Sequence, residues 1–462
     1  MALYDDLRRK LQGDLLTDDD SLKERSRDFG NMIERKPAAV VRPQGPQDLA
    51  ATVRFARAHG LSVHSRGAAH TQSGQALSDG GLVIDSTGMD KVLAIDEQQR
   101  TIRVQSGLRW RGVVEAAKSH RLIPPVLTNN NNVTVGGTVS MAGIGVASYR
   151  HGVQADNVEE LTVVLGSGDI VTCSRTENTE VFDAVRSTLG QFGLIAEAKL
   201  RLRPHQPNVR MYFLLYDSQR AYMDDAKLLM EEGRFDFIES FCAPVPMGFR
   251  SVDGEIRGFG RWFFPVHFTV EFSPGKEPDD NKLLAGLHHY QHVYTEDRPI
   301  HAFLYRMDRL FELWRLSGYW AGAHPWMETM LPYETAADYM DLVLDRFPPQ
   351  GLMGGGHVLF WAARRKASSV PLFITPESEH IVGFGILPGL PDWALEQALP
   401  NLHLASDLSL QMGAKRYLSG LINFNSVEDW RGHYGDQWET MLRYKRSYDP
   451  DGVLNPGFIQ YQ

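Results

Sequence analysis

Residues 126–150 read VLTNNNNVTVGGTVSMAGIGVASYR, a stretch that is small, polar and glycine-rich and carries no helical stripe. Apolar residues are threaded through it, so its composition is not that of a disordered tract. A long irregular segment inside a compact domain is usually functional, and the flanking sequence supplies the frame for it. Upstream, Ala39–Val41 reads as a strand and Gln47–His59 as a helix stopped by Gly60. Ser62–His64 is the next strand, Ser65–Ser78 a glycine-bearing loop and Gly81–Ile84 another strand. Lys91–Ile95 and Thr101–Gln105 form a hairpin, and Trp110–His120 is a helix. Downstream, Glu160–Leu165 and Asp169–Cys173 form a hairpin around Gly166-Ser167-Gly168. Val181–Leu189 is a helix stopped by Gly193, and Leu194–Leu202 is a strand.

Several function classes drop out. The chain has 462 residues and a net charge of -9 without a long basic run, a poor match to the clustered Lys and Arg that bind nucleic acid. No apolar run approaches the ~20 residues that span a bilayer. The opening MALYDDLRRKLQGDLL lacks an apolar core, so neither a signal peptide nor membrane association is expected, and the default location is cytoplasmic. Cys173 and Cys242 sit in no CxxC or zinc-like spacing; no metal site is expected, and both read as small buried hydrophobes.

The texture changes near Pro204. Residues 205–410 are dense in aromatics, including Tyr212, Phe213, Tyr216, Phe235, Phe237, Phe241 and Trp262-Phe263-Phe264. Antiparallel strands are expected there, alternating with helices over Asp279–Tyr294, Phe303–Leu316 and Thr335–Arg346. Residues 1–35 read as a leading helix or arm, and Asp429–Tyr444 as a helix before a turn-rich tail. The division is a first domain over 1–204, a second over 205–410, and a segment 411–462 that returns to complete the first.

The chemistry is concentrated in Ser65-Arg66-Gly67-Ala68-Ala69-His70-Thr71-Gln72-Ser73-Gly74-Gln75. Small residues at 67–69 let backbone approach a ligand closely, and successive N–H groups make an anion-binding concavity suited to a pyrophosphate. His70 sits where the far end of such a ligand could reach it.

With this loop in place, the order and spacing of further blocks resemble the flavin oxidases of the vanillyl-alcohol-oxidase fold, and among them the cytokinin dehydrogenases. The blocks are Thr134–Ser140 (TVGGTVS), Val171–Ser174 (VTCS), Gly190–Ile195 (GQFGLI), His324-Pro325-Trp326 and the Tyr448-Asp449-Pro450 tail. The likeness runs over roughly 37–462. It implies an α+β, two-domain fold with a PCMH-type FAD-binding domain and an antiparallel-sheet substrate domain. A Rossmann unit is disfavoured, because no strand–GxGxxG–helix is present.

The resemblance implies FAD, bonded covalently through His70. It places Arg66, Gly67, Ala68, Ala69, His70, Thr71 and Gln75 on the pyrophosphate and ribityl chain. Thr134, Gly137, Ser140 and Ile144 would lie beside phosphates and flavin, and Ile195 at the adenine. Tyr417 and Asn455 would approach the ring from the second half. A single covalent link is expected, since no Cys lies in 136–145.

Two departures from the family pattern stand out. Ala69 replaces a glycine; a positive φ there would cost about 1 kcal/mol. Asn129 falls where the family has its catalytic Asp, and an amide has no titratable oxygen with which to act as a base. Asn129, Trp326 and Glu328 are the candidate catalytic residues, with a base sought among histidines and glutamates of 289–328. Within that window His289, His292 and His301 read as structural and Glu312 as a solvated face. Gly354-Gly355-Gly356 reads as a flexible turn.

The implied function is an FAD-dependent oxidoreductase acting on a small molecule, taking hydride from a carbon bound to N or O. Electrons would pass to oxygen to give hydrogen peroxide. A dehydrogenase with another acceptor and a non-redox cyclase or isomerase with structural FAD stay open, as do the substrate and the oligomeric state. Cytokinin is not the expected substrate, because of Asn129.

Overall fold

The computed structural model describes residues 2–346 and 356–462; Gly354 and Gly355 lie outside the described residues. The protein is α+β, in two parts. In the first part a small sheet runs in the order Asp14–Leu16, Ala39–Arg42, Leu82–Asp85, Val63–Arg66, its last three strands parallel. Ala39, Val40 and Val41 are all buried, as expected for a strand covered on both faces. The helix Pro46–Ala58 opens on a proline in its first turn and buries Leu49, Val53 and Ala56 on one face. A second, antiparallel sheet has five strands: Val92–Asp96, Thr101–Gln105, Leu194–Arg201, Val158–Val164 and Ile170–Ser174.

The second part is built on an eight-stranded antiparallel sheet. Its order is Gln291–Pro299, Asn208–Tyr216, Glu255–Phe272, Phe237–Val252, His357–Arg364, His380–Leu387, Met327–Pro332 and Lys415–Arg416. Helices Gln219–Glu232, Tyr333–Arg346 and Asp392–Gln411 contribute to one large apolar core with it. The two-residue period of strand His357–Arg364 divides its side chains: Val358 and Phe360 enter this core, while Leu359 and Trp361 face a cavity. After Arg416 the chain packs back on the first part, where Trp430, Tyr434, Trp438 and Met441 join Phe192 and Leu189 in one cluster.

Several expected elements are different. Residues 279–294 do not form one helix. Asp280–Leu284 is helical, Gly286 takes φ +76°, and Gln291–Pro299 is an edge strand on Asn208–Tyr216, because pairing with a sheet edge outweighs local helix propensity there. The segment 303–316 is two helices, Ile300–Leu304 and Asp308–Leu316. That of 429–444 also divides, into Val427–Tyr434 and Trp438–Tyr448, with Gly435 at φ +53° between them. The leading residues make two short helices, Asp5–Lys10 and Asp19–Glu24, around the edge strand Asp14–Leu16. Among the described residues no helix is long and apolar enough to cross a membrane.

Candidate active site

A cavity of about 340 Å³ runs between the two parts. One end is walled by the loop that leaves strand Val63–Arg66 and by the short helix Val135–Val139. Gly67 and Thr134 are in such close contact that a Cβ on Gly67 would lie 2.1 Å from Thr134 Oγ1. That hydroxyl caps the short helix by accepting from Gly137 N at 3.3 Å. Ala69 takes φ +50°, the left-handed conformation for which glycine is the unstrained choice. Among the described residues the backbone N–H groups of Gly67 through Thr71 have no acceptor. A run of such donors beside a cavity is a built concavity for an anion, and it fits a pyrophosphate.

Arg66, Gly67, Ala68, Ala69, His70, Thr71, Gln75, Thr134, Gly137, Ser140, Ile144, Ile195 and Tyr417 all line this one cavity. Several of their side chains are already committed to protein partners. Gln75 Nε2 donates to Leu418 O at 2.8 Å, joining the loop to the returning segment. Tyr417 OH accepts from Gly143 N at 3.3 Å. Asn455 is not among the residues that line the cavity. Its Oδ1 accepts from Ser65 N at 3.0 Å, and its Nδ2 donates to Leu189 O and Gly190 O at 3.0 and 2.9 Å. It thus ties the C-terminal tail beneath the strand that presents the loop.

His70 stands at the junction of the loop and the aromatic wall. Its ring centroid is 4.3 Å from that of Phe29 and 5.4 Å from that of Trp326. Burial, with His324 adding to it, lowers its pKa to about 4, so the imidazole is neutral at physiological pH. Among the described residues neither ring nitrogen has a hydrogen-bond partner. A neutral, unengaged imidazole facing a cavity can act as a nucleophile or take up a covalent link. Trp326 Nε1 donates to Tyr319 OH at 3.1 Å, so its ring serves as wall and its N–H is spent.

Asn129, Glu239, Phe311, Trp314, Glu328, His357 and Trp361 also line the cavity. Arg306 Nη2 donates to Asn129 Oδ1 at 2.8 Å. The same guanidinium clasps Glu239, Nε to Oε2 at 2.6 Å and Nη2 to Oε1 at 2.9 Å. Burial works against ionisation of Glu239, but Arg306 outweighs it and holds the carboxyl below its usual value. Burial pushes the Glu328 carboxyl up to about 7 and the His357 imidazole down to about 4.

Of the candidates in 289–328, only Glu328 and Trp326, with Met307, Phe311 and Trp314, reach the cavity. His292 Nε2 contacts Thr295 Oγ1 at the surface, His301 packs on His205, and Glu312 pairs with Arg309 on an exposed helix face. Asp28, Phe29, Glu239, Arg306 and His357 escaped the sequence reading. Asp28 accepts from Thr71 Oγ1 at 2.9 Å and Gly74 N at 2.8 Å, and so shapes the loop. No motif marks any of the five, and chain folding alone brings them to the site.

Comparison with known proteins agrees with this geometry. Residues 37–174 match the model of an FAD binding domain. Residues 269–460 match the family described as cytokinin dehydrogenase 1, FAD and cytokinin binding. The chain is 32% identical over 444 residues to an uncharacterized oxidoreductase, ORF5 in the fasciation locus of Rhodococcoides fascians, covering 96% of this chain and 98% of that one. It is 30% identical over 470 residues to cytokinin dehydrogenase 4 of Oryza sativa subsp. japonica, covering 94% and 87%. With cytokinin dehydrogenase 1 of Arabidopsis thaliana the identity is 26% over 472 residues, covering 94% and 80%.

Proposed function

Because the chain belongs to the FAD-linked oxidoreductases that include the cytokinin dehydrogenases, we propose that its cavity holds FAD covalently through His70 and oxidises a small molecule at a carbon bound to nitrogen or oxygen, with oxygen as electron acceptor. The observation that carries this reading is the continuity of one cavity from the unpartnered N–H groups of Gly67–Thr71, past His70, to Asn129 and Glu328. The loop donors suit the pyrophosphate, and the neutral imidazole of His70 suits a bond to the flavin. When bound, FAD supplies the two-electron acceptor.

The chain's own residues then have three tasks. Phe311, Trp314, Trp326 and Trp361 form apolar walls that suit a flat substrate and exclude water. Asn129, held by Arg306, orients the reacting group. Glu328 takes the substrate proton, since a carboxyl near 7 is matched to proton exchange at neutral pH.

Acid precipitation followed by intact mass tests the covalent link. A yellow pellet, and a mass exceeding the sequence mass by one FAD, are expected; a colourless pellet overturns it. His70→Ala is expected to fold and to hold FAD only reversibly. Oxygen uptake with peroxide formation during turnover tests the acceptor, and turnover that requires a quinone or dye instead overturns oxygen in that role.

A further inference from the structure

Arg306 determines which way the Asn129 amide points. An arginine carries only donors, so the Asn129 atom 2.8 Å from Nη2 has to be the carbonyl oxygen. The amide cannot turn over without setting N–H against N–H. Arg306 is itself immobilised by its two bonds to Glu239, and the side chains of this pair are only 12% and 14% exposed. Asn129 Nδ2 has no acceptor among the described residues, and the residue lines the cavity. The site therefore offers its ligand an N–H donor at this point.

The charges nearby give the same polarity. Arg306 and Glu239 cancel each other, and His357 beside them is uncharged. Among the described residues Glu328 is the one acidic group lining the cavity outside this pair, and burial pushes its carboxyl up to about 7, which weakens it as a partner for an ammonium group.

We infer that Asn129, locked by Arg306, makes the cavity selective for a neutral alcohol over an amine at the reacting carbon. The reason is the inventory of lone pairs. At neutral pH an alkylamine is protonated and presents only donors. An amine conjugated to an aromatic ring has delocalised its lone pair and also presents only N–H. Either sets a donor against the Nδ2 donor, and an unsatisfied pair of this kind costs about 1–3 kcal/mol. A hydroxyl oxygen accepts from Nδ2 and keeps its own hydrogen for a carboxylate. This inference rests on the reading of the cavity as the site of oxidation, and it narrows that reading from carbon bound to N or O down to carbon bound to O.

Calorimetric titration of the flavin-loaded protein, its flavin first reduced with dithionite and oxygen excluded, with benzyl alcohol, benzylamine and isopentenyladenine tests it by binding, without turnover. Benzyl alcohol is expected to bind at least ~10-fold more tightly than benzylamine, and isopentenyladenine to show no advantage from its N–H. Asn129→Asp replaces the donor with an acceptor, and the order of the first two probes is expected to invert. Equal or tighter binding of benzylamine to the wild type overturns the inference. So does an unchanged order in Asn129→Asp, or binding of neither benzyl probe up to its solubility. Flavin colour under anaerobic conditions is scored separately. An alcohol that binds with the expected preference and never bleaches the flavin counts against the oxidation reading and leaves the selectivity intact. Bleaching by the amine with equal or tighter binding counts against the selectivity and leaves the oxidation reading intact.

Discussion

A Cβ built on Gly67 would stand 2.1 Å from Oγ1 of Thr134, two residues that belong to separate loops and meet at the mouth of the cavity. Gly67→Ala must therefore either push Thr134 off the N–H of Gly137, uncapping the short helix, or lift the loop away from it. Both outcomes disturb the concavity of free N–H groups. Flavin absorbance per mole of purified Gly67→Ala is expected to fall roughly tenfold, equivalent to about 1.4 kcal/mol in retention.

Asn455 carries load from beneath the loop. It is buried and bonded to Ser65, Leu189 and Gly190, and its own φ of +41° is one that Asn tolerates better than most residues. Asn455→Ala leaves those groups unsatisfied and is expected to destabilise the protein by about 3 kcal/mol. Denaturant unfolding measures that loss. Limited proteolysis should show the tail beyond residue 449 cut faster than in the wild type.

Glu328, as the proposed proton acceptor, is expected to tie turnover to pH. A proton acceptor works only when unprotonated, and burial raises this carboxyl to about 7. The rate of flavin reduction is expected to rise with pH through about 7 and then level off. Glu328→Gln should abolish that midpoint and lower the rate by about 10²–10⁴. A midpoint near 7 that survives in the glutamine variant assigns the titration to another group.

His433 ties stability to pH, with the opposite kind of group. Burial, aided by Lys415 and Arg416, lowers its pKa to about 3, against 6.5 for a free histidine. Between these values the unfolded chain binds a proton that the folded one does not. The full stability is present above pH 6.5, and it is lost progressively as pH falls toward about 3. Among the described residues His433 Nδ1 has no partner, and the ring packs on Phe424 and Tyr434, so a phenyl ring suits the site. His433→Phe is expected to recover about 2 kcal/mol of stability at pH 5 and little at pH 8, as thermal unfolding at the two pH values would measure.

The loop 65–75 and the block 134–140 were legible because their constraint is local. Small residues and hydroxyls at set spacing dictate close backbone approach and helix capping wherever the chain goes. The same local logic placed most strands of the first part, and the ordered segment 126–150 carries its two short helices, Val135–Val139 and Ser148–His151. It failed at 279–294, where the partner strand Asn208–Tyr216 decides the conformation. The hydrogen bonds that hold Asn455 to Ser65, Leu189 and Gly190 were likewise not legible, because those partners lie far from it in the chain.

The order of residues along the chain already marks the flavin-binding frame, His70 at its end, and an amide at position 129. Which way that amide points depends on the folded chain. Arg306 is 177 positions from Asn129 and 67 from Glu239. Their meeting depends on how the turn after Ile300–Leu304 and the strand Phe237–Val252 are seated across the cavity. The polarity of an amide is set by whichever group touches it, and contacts between residues so far apart in the chain exist only once the large sheet has closed over the first part.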